Sequence, residues 1–176
     1  MSGPTFHLPA VSHAMQHAVP TRQGGCSVSE HVLAIPGDPV PWQAAVKVGT
    51  APNAPRKVPD RQSRYASEIV TAWERLGIDL WIEKGTPVSI TCEFFVTRPK
   101  STHYGSGRNE RVLKPQFADA QPTGRPDLSN LVKMVEDALT GVLWRDDDQV
   151  TGIHAFKSYV AWWEQPRSIV RIEVAP

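Results

Sequence analysis

The sequence predicts an α/β domain of the α+β kind, a mixed β-sheet packed by two main helices. Three observations predict it. The chain has 176 residues, the size of one domain with an appended tail. Hydrophobic residues make up 40% and charged residues 21%, which supplies a core and excludes global disorder. Two segments carry apolar residues at helical spacing, and strand-type runs lie before, between and after them.

Residues 1–30 are poor in charge, contain Pro4, Pro9, Pro20 and Gly24-Gly25, and show no repeating apolar face. They read as a flexible N-terminal extension ahead of a domain at 31–176. His31 to Pro36 is a short apolar run closed by Pro36-Gly37, a first strand. Gly37 to Asp60 holds seven prolines or glycines and forms no long element, although Trp42 and Val46-Val48 suit a short extended piece. A helix begins at Asp60: Tyr65, Ile69, Ala72, Trp73 and Leu76 share one face, and Gly77 ends it. Val88 to Thr97 is β-branched and aromatic, the clearest strand, stopped by Pro99. Leu128, Leu131, Val132, Val135 and Leu139 give one apolar stripe, with Pro126 and Asp127 before it and Gly141 after it. Val150 to Ala161 and Ser168 to Val174 are two closing strands joined near Gln165-Pro166.

Lys and Arg number 19 against 18 Asp and Glu, so the chain is no polycationic wrapper of nucleic acid. Cys26 and Cys92 stand far apart, which argues against a disulfide scaffold or structural zinc and suits a reducing compartment. No apolar run is long enough to span a bilayer, and no secretory signal pattern opens the chain. A soluble, cytoplasmic protein with no membrane partner is the expectation.

Charge is uneven along the chain. Residues 98–126 lack periodicity and carry Arg98, Lys100, Arg108, Arg111, Lys114 and Arg125 against Glu110 and Asp119, six minus two, a net of +4. A long loop of this kind inside a domain is usually functional or disordered. It leads into Arg125-Pro126-Asp127 at a helix start, and Asp146-Asp147-Asp148 follows the helix end. Clustered carboxylates beside a basic loop suit a divalent-metal site for phosphodiester cleavage. Lys133, off the apolar stripe, is placed to assist at the phosphate. A helix of this length spans about 20 Å. Asp127 and Asp147 therefore meet only if the next strand runs back along the helix or another molecule supplies one of them. Taken singly, Asp127 is an ordinary N-cap, the aspartate run a solvated turn, Lys133 a surface lysine and Asn130 a first-turn residue with a local backbone bond. Asp137 beside the helix C-terminus opposes the helix dipole and asks for a partner.

Together, residues 125–133, Asp137-Ala138-Leu139-Thr140-Gly141 and Asp146-Asp147-Asp148-Gln149 resemble the RusA-type Holliday-junction resolvases. That family's pattern runs RPDxDNLxK, then DALNG, then DDxQ. His103 to Asn109 and Leu113 to Pro115 look like the loop of its phage-borne members. The resemblance implies a homodimeric endodeoxyribonuclease that uses Mg²⁺ or Mn²⁺ to resolve four-way and other branched DNA by paired nicking, in a bacterial or phage-infected cell. Carried over by position, Asp127, Lys133 and Asp147 are catalytic. Asp127, Asp147, Asp146 and Ser129 occupy the metal-binding positions. Arg98, Lys100, Arg108, Arg111, Lys114, Arg125 and Asn130 fall to DNA. One position departs from the pattern: Ser129 stands where the family has a second aspartate, and a hydroxyl is a weaker ligand than a carboxylate. The alternative is a catalytically weakened or inactive branched-DNA-binding protein of the same fold.

Overall fold

A computed structural model describes residues 28–47, 56–105 and 112–175. The elements are β1 (Ser29–Pro36), β2 (Val46–Lys47), β3 (Arg56–Lys57), α1 (Asp60–Glu74), β4 (Val88–Val96), α2 (Leu128–Leu139), β5 (Val150–Tyr159) and β6 (Arg167–Val174). Most of the proposed flexible extension, residues 1–27, lies outside the described residues.

Four strands form one mixed sheet in the order β1-β6-β4-β5. β1 and β4 both pair antiparallel with β6, while β4 and β5 run parallel. The two closing strands are thus not neighbours; β4 lies between them. β2 and β3 make a separate two-stranded ribbon; β2 falls at the expected Val46, β3 was not expected, Trp42 stands outside the ribbon and Val48 lies outside the described residues.

Alternation on the strands decides which face is covered. Val88, Ile90, Cys92, Phe94 and Val96 of β4 are buried, and so are Val170, Ile172 and Val174 of β6 and Leu33 and Ile35 of β1. All of these but Val96 meet the apolar faces of both helices in one core: Tyr65, Ile69, Ala72 and Trp73 of α1, and Leu131, Val132, Val135 and Leu139 of α2. The opposite sheet face is only partly covered. There Arg171 lies between Glu30 and Glu93, at 3.7 and 3.6 Å.

Both expected helices form. The expected stripe of α2 is largely buried on the sheet, joined by Met134 and Ala138. In α1 the stripe ends one residue early. The helix stops at Glu74, Gly77 takes φ +64°, and Leu76 is left on the surface. Tyr65 runs through the core to bond Ser168 on β6, hydroxyl to hydroxyl at 2.5 Å; burial pushes the phenol up to about 12. No helix is long and apolar enough to cross a membrane among the described residues.

Candidate functional site

Asp127 is the N-cap of α2, as its place after Pro126 predicts, with φ −72° and ψ 137°. Its side chain makes no capping hydrogen bond, so the carboxylate is not spent on the helix it precedes. The loop ahead of it is fixed from below. Lys157 on β5 donates to the carbonyls of Gly124 and Pro126, at 2.8 and 2.7 Å. Arg125, Asp127 and Asn130 then border an open cleft of about 720 Å³. Its far wall is the segment 38–43, and Arg61 and Tyr159 also line it.

That wall is anchored to three elements. Asp38 accepts from the Thr97 hydroxyl at 2.8 Å, the Trp42 amide donates to the Asn130 carbonyl at 2.8 Å, and the Gln43 amide donates to Gln62 Oε1 at 3.0 Å. The last bond explains a buried glutamine on the otherwise apolar face of α1. Lys133, one and a half turns into α2, lies over the Trp42 ring at 4.5 Å from its centroid.

The other end of α2 carries the aspartate turn. The Thr140 amide and hydroxyl both donate to the Glu136 carbonyl at 2.9 Å, and Trp144 Nε1 donates to the Thr140 hydroxyl at 3.1 Å. Gly141, at φ +79°, donates to the Trp144 carbonyl at 2.7 Å. These bonds fold the chain tightly back after the helix. Gln149 then clips the turn to the body. Its Oε1 accepts from the amides of Arg145 and Asp146 at 3.1 and 3.3 Å, and its Nε2 donates to the Glu83 carbonyl at 2.9 Å. Asp146, Asp147 and Asp148 are all exposed on this turn.

Glu136 records how close the turn comes. Its carboxyl is pushed above the usual carboxylate range, by burial first, then by Asp147, then by its chain neighbour Asp137, with Lys133 opposing. The sequence reading did not single out Glu136. Its spacing of three from Lys133 and seven from Ser129 was the available signal.

β5 does run back along α2, but it brings Lys157 to the helix start and leaves Asp147 at the helix end. Asp127 and Glu136 are nine residues apart, about 13 Å along the axis. Among the described residues no three His, Cys, Asp or Glu side chains stand close enough to hold a metal ion. The chain places its oxygen donors apart instead: Asp127 at one end of the helix, Asp147 and Glu136 toward the other. The chemistry fits a hard divalent cation, since all donors are oxygens and crowded carboxylates are relieved by positive charge.

The residues expected to bind DNA differ in placement. Arg98 is half-buried and tied to the fold, donating to the Phe117 carbonyl at 3.0 Å and lying 4.7 Å from the Tyr159 ring centroid. Lys114 donates to the Ser101 carbonyl at 3.0 Å, which ties the two sides of the loop together. Lys100 and Arg125 are exposed, and Asn130 borders the cleft. Arg108 and Arg111 lie outside the described residues.

The family model described as endodeoxyribonuclease RusA matches residues 36–173. A Bacillus subtilis (strain 168) protein described as uncharacterized protein YqaN is 35% identical over 86 residues. The match takes in 49% of this chain and 56% of that protein.

Proposed function

This chain belongs to the RusA endodeoxyribonuclease family, and from that premise we propose that it is a divalent-metal-dependent endonuclease that resolves four-way DNA junctions as a homodimer, with residues 31–176 as its nuclease domain. The family supports junction-resolving cleavage of branched DNA in general, with a divalent metal of unspecified identity. Assignment of the residues rests on one observation above the others. The motif positions Asp127, Ser129, Lys133, Asp146 and Asp147 are all exposed, on one helix and the turn that follows it, and the aspartate at the helix start leaves its side chain uncapped.

The opposite placement of Asp127 and Asp147 supports a composite site. A two-fold axis that sets two α2 helices antiparallel would bring Asp127 and Ser129 of one protomer to Asp147 of its partner, twice over. Lys133, between the two ends, serves such a site by holding positive charge at the scissile phosphate. A divalent cation held there, Mg²⁺ or Mn²⁺, would supply Lewis-acid help and an activated water. Asp146 is the supporting neighbour of Asp147. Lys100, Arg125 and Asn130 bind DNA directly, while Arg98 and Lys114 shape the loop that carries Arg108 and Arg111 to it.

Subunit mixing tests this reading. Asp127→Asn and Asp147→Asn should each bind a labelled junction and lose more than ~100-fold in nicking, since even outer-shell changes around a metal cost 10–100-fold. A heterodimer of the two variants should regain single nicks, because one of its two composite sites keeps both aspartates. No regained nicking in a verified heterodimer would place both aspartates in one protomer's site. Asp127→Asn that cuts at the parent rate would overturn the metal assignment.

A further inference from the structure

The link from β5 to β6 carries two exposed indoles beside the cleft. Because β4 lies between those strands, the chain from Val160 to Pro166 crosses the C-terminal end of β4. Both of its feet stand at the cleft that Asp127 borders. Tyr159, the end of β5, lines the cleft, and the Val160 amide donates to the carbonyl of Val96, another lining residue, at 3.0 Å. At the other foot the Pro166 carbonyl accepts from the Gly37 amide at 2.9 Å, one residue before Asp38 of the cleft wall. The tip between the feet is closed on itself. The Glu164 amide donates to the Ala161 carbonyl at 3.0 Å, and the Ala161 amide donates to Glu164 Oε2 at 3.3 Å. Arg167 pairs with Glu164 at 3.6 Å, so the acid of the tip is neutralised.

None of these bonds needs a tryptophan. Yet Trp163, 69% exposed, is the most exposed large apolar side chain among the described residues, and Trp162 beside it is also exposed. Their rings meet edge to face, with centroids 5.6 Å apart and planes at 90°. That contact covers at most one ring face of the pair and leaves flat indole surface outward. A neutral aromatic tip, rooted at a cleft that holds Arg125, suits a nucleobase whose phosphate the arginine meets.

We propose that Trp163, with Trp162 edge-on beside it, stacks on a DNA base at the branch point and so makes the protein select branched over continuous duplex. The proposal rests on the branched-DNA reading above. A base inside a continuous duplex must first be unstacked, at a cost comparable to what the indole returns. A base at a branch point has already lost part of its stacking, so there the return is kept.

Binding of the full chain to a labelled four-way junction and to a linear duplex of equal length, without added metal, tests this apart from cleavage. Trp163→Ala should weaken junction binding about 5- to 100-fold, the worth of one base–aromatic stack. Duplex binding should stay within about twofold and the salt slopes should hold, since no phosphate contact is lost. Trp163→Phe keeps a π-face and should retain most of the junction affinity. Trp163→Leu keeps apolar bulk alone and should lose what alanine loses, with a melting temperature equal to the parent's. Junction binding by Trp163→Leu equal to the parent's, or an equal loss on junction and duplex, would overturn the proposal. So would a shift from dimer to monomer on sedimentation, which would make the tip a contact between two copies of this chain. A parent that binds the junction no better than the duplex would defeat the branched-DNA reading itself, and this proposal with it.

Discussion

The two ends of α2 are built on opposite principles. At the N-terminal end, a lysine from the sheet bonds backbone carbonyls and leaves Asp127 free beside an open cleft. At the C-terminal end, one buried glutamine gathers two amides of its own turn and a carbonyl from the segment at 82–83, and the turn presents three exposed aspartates. In both cases the residue doing the positioning is not the residue offered to a ligand. The first end spends a charge to hold a loop. The second holds its turn with a neutral amide.

Removing the glutamine should therefore have the largest effect on stability. Gln149 is 4% exposed and makes its bonds where water cannot replace them. Gln149→Ala leaves the Glu83 carbonyl and the Arg145 and Asp146 amides without those partners. The loss should be about 2–4 kcal/mol, on the cost of about 1–3 kcal/mol for a buried group left unsatisfied. Chemical denaturation measures it. Mn²⁺ affinity should fall with it, since Asp147 rides on the clipped turn. A stable Gln149→Ala with unchanged Mn²⁺ affinity would show that the turn holds its shape by backbone bonds alone.

The lysine end should respond more mildly. Lys157→Met keeps the aliphatic stem and removes two charged hydrogen bonds to carbonyls that are near solvent. Water can take over part of their role, so a loss of about 1–2 kcal/mol is expected, below the full value of two charge-assisted bonds. Junction nicking should fall more than Mn²⁺ binding, because the displaced group is the Asp127 loop while Asp147 is untouched. Equal losses in both measurements would mean that the two ends are not separable.

The sequence made these two ends legible to different degrees. α2 was readable residue by residue, because its apolar stripe, Asp127 and Gly141 all state the same boundaries. The motif positions were readable for the same reason: they are anchored to a strongly periodic helix. Lys157 was not. On a strand, a lysine among alternating residues looks like any surface side chain, and its target carbonyls lie 31 and 33 residues away. The sheet order was hidden by the same long-range problem. Two adjacent strand signals at 150–161 and 168–174 do not say that β4 will lie between them. Leu76 misled because spacing alone extends a stripe past Glu74, where the helix ends. Glu136 was passed over because a carboxylate on a helix flank becomes informative only when the turn that faces it is placed.

The smallest expected effect lies between the ends, at Lys133 and Trp42. The ammonium sits 4.5 Å from the ring centroid, yet Lys133 is exposed, so most of the attraction is shared with water. A double-mutant cycle of Trp42→Leu and Lys133→Met separates this contact from the packing that Trp42 also contributes to the core. The coupling should be about 0.5–1 kcal/mol, the range for an exposed cation over an aromatic face. Trp42→Leu alone should destabilise by more than the coupling, through lost apolar burial. Its nicking rate should fall by no more than about fivefold, because the lysine keeps its charge and loses only its resting place. A coupling indistinguishable from zero, with nicking unchanged in Trp42→Leu, would mean that the middle of the helix positions nothing and that only the two ends matter.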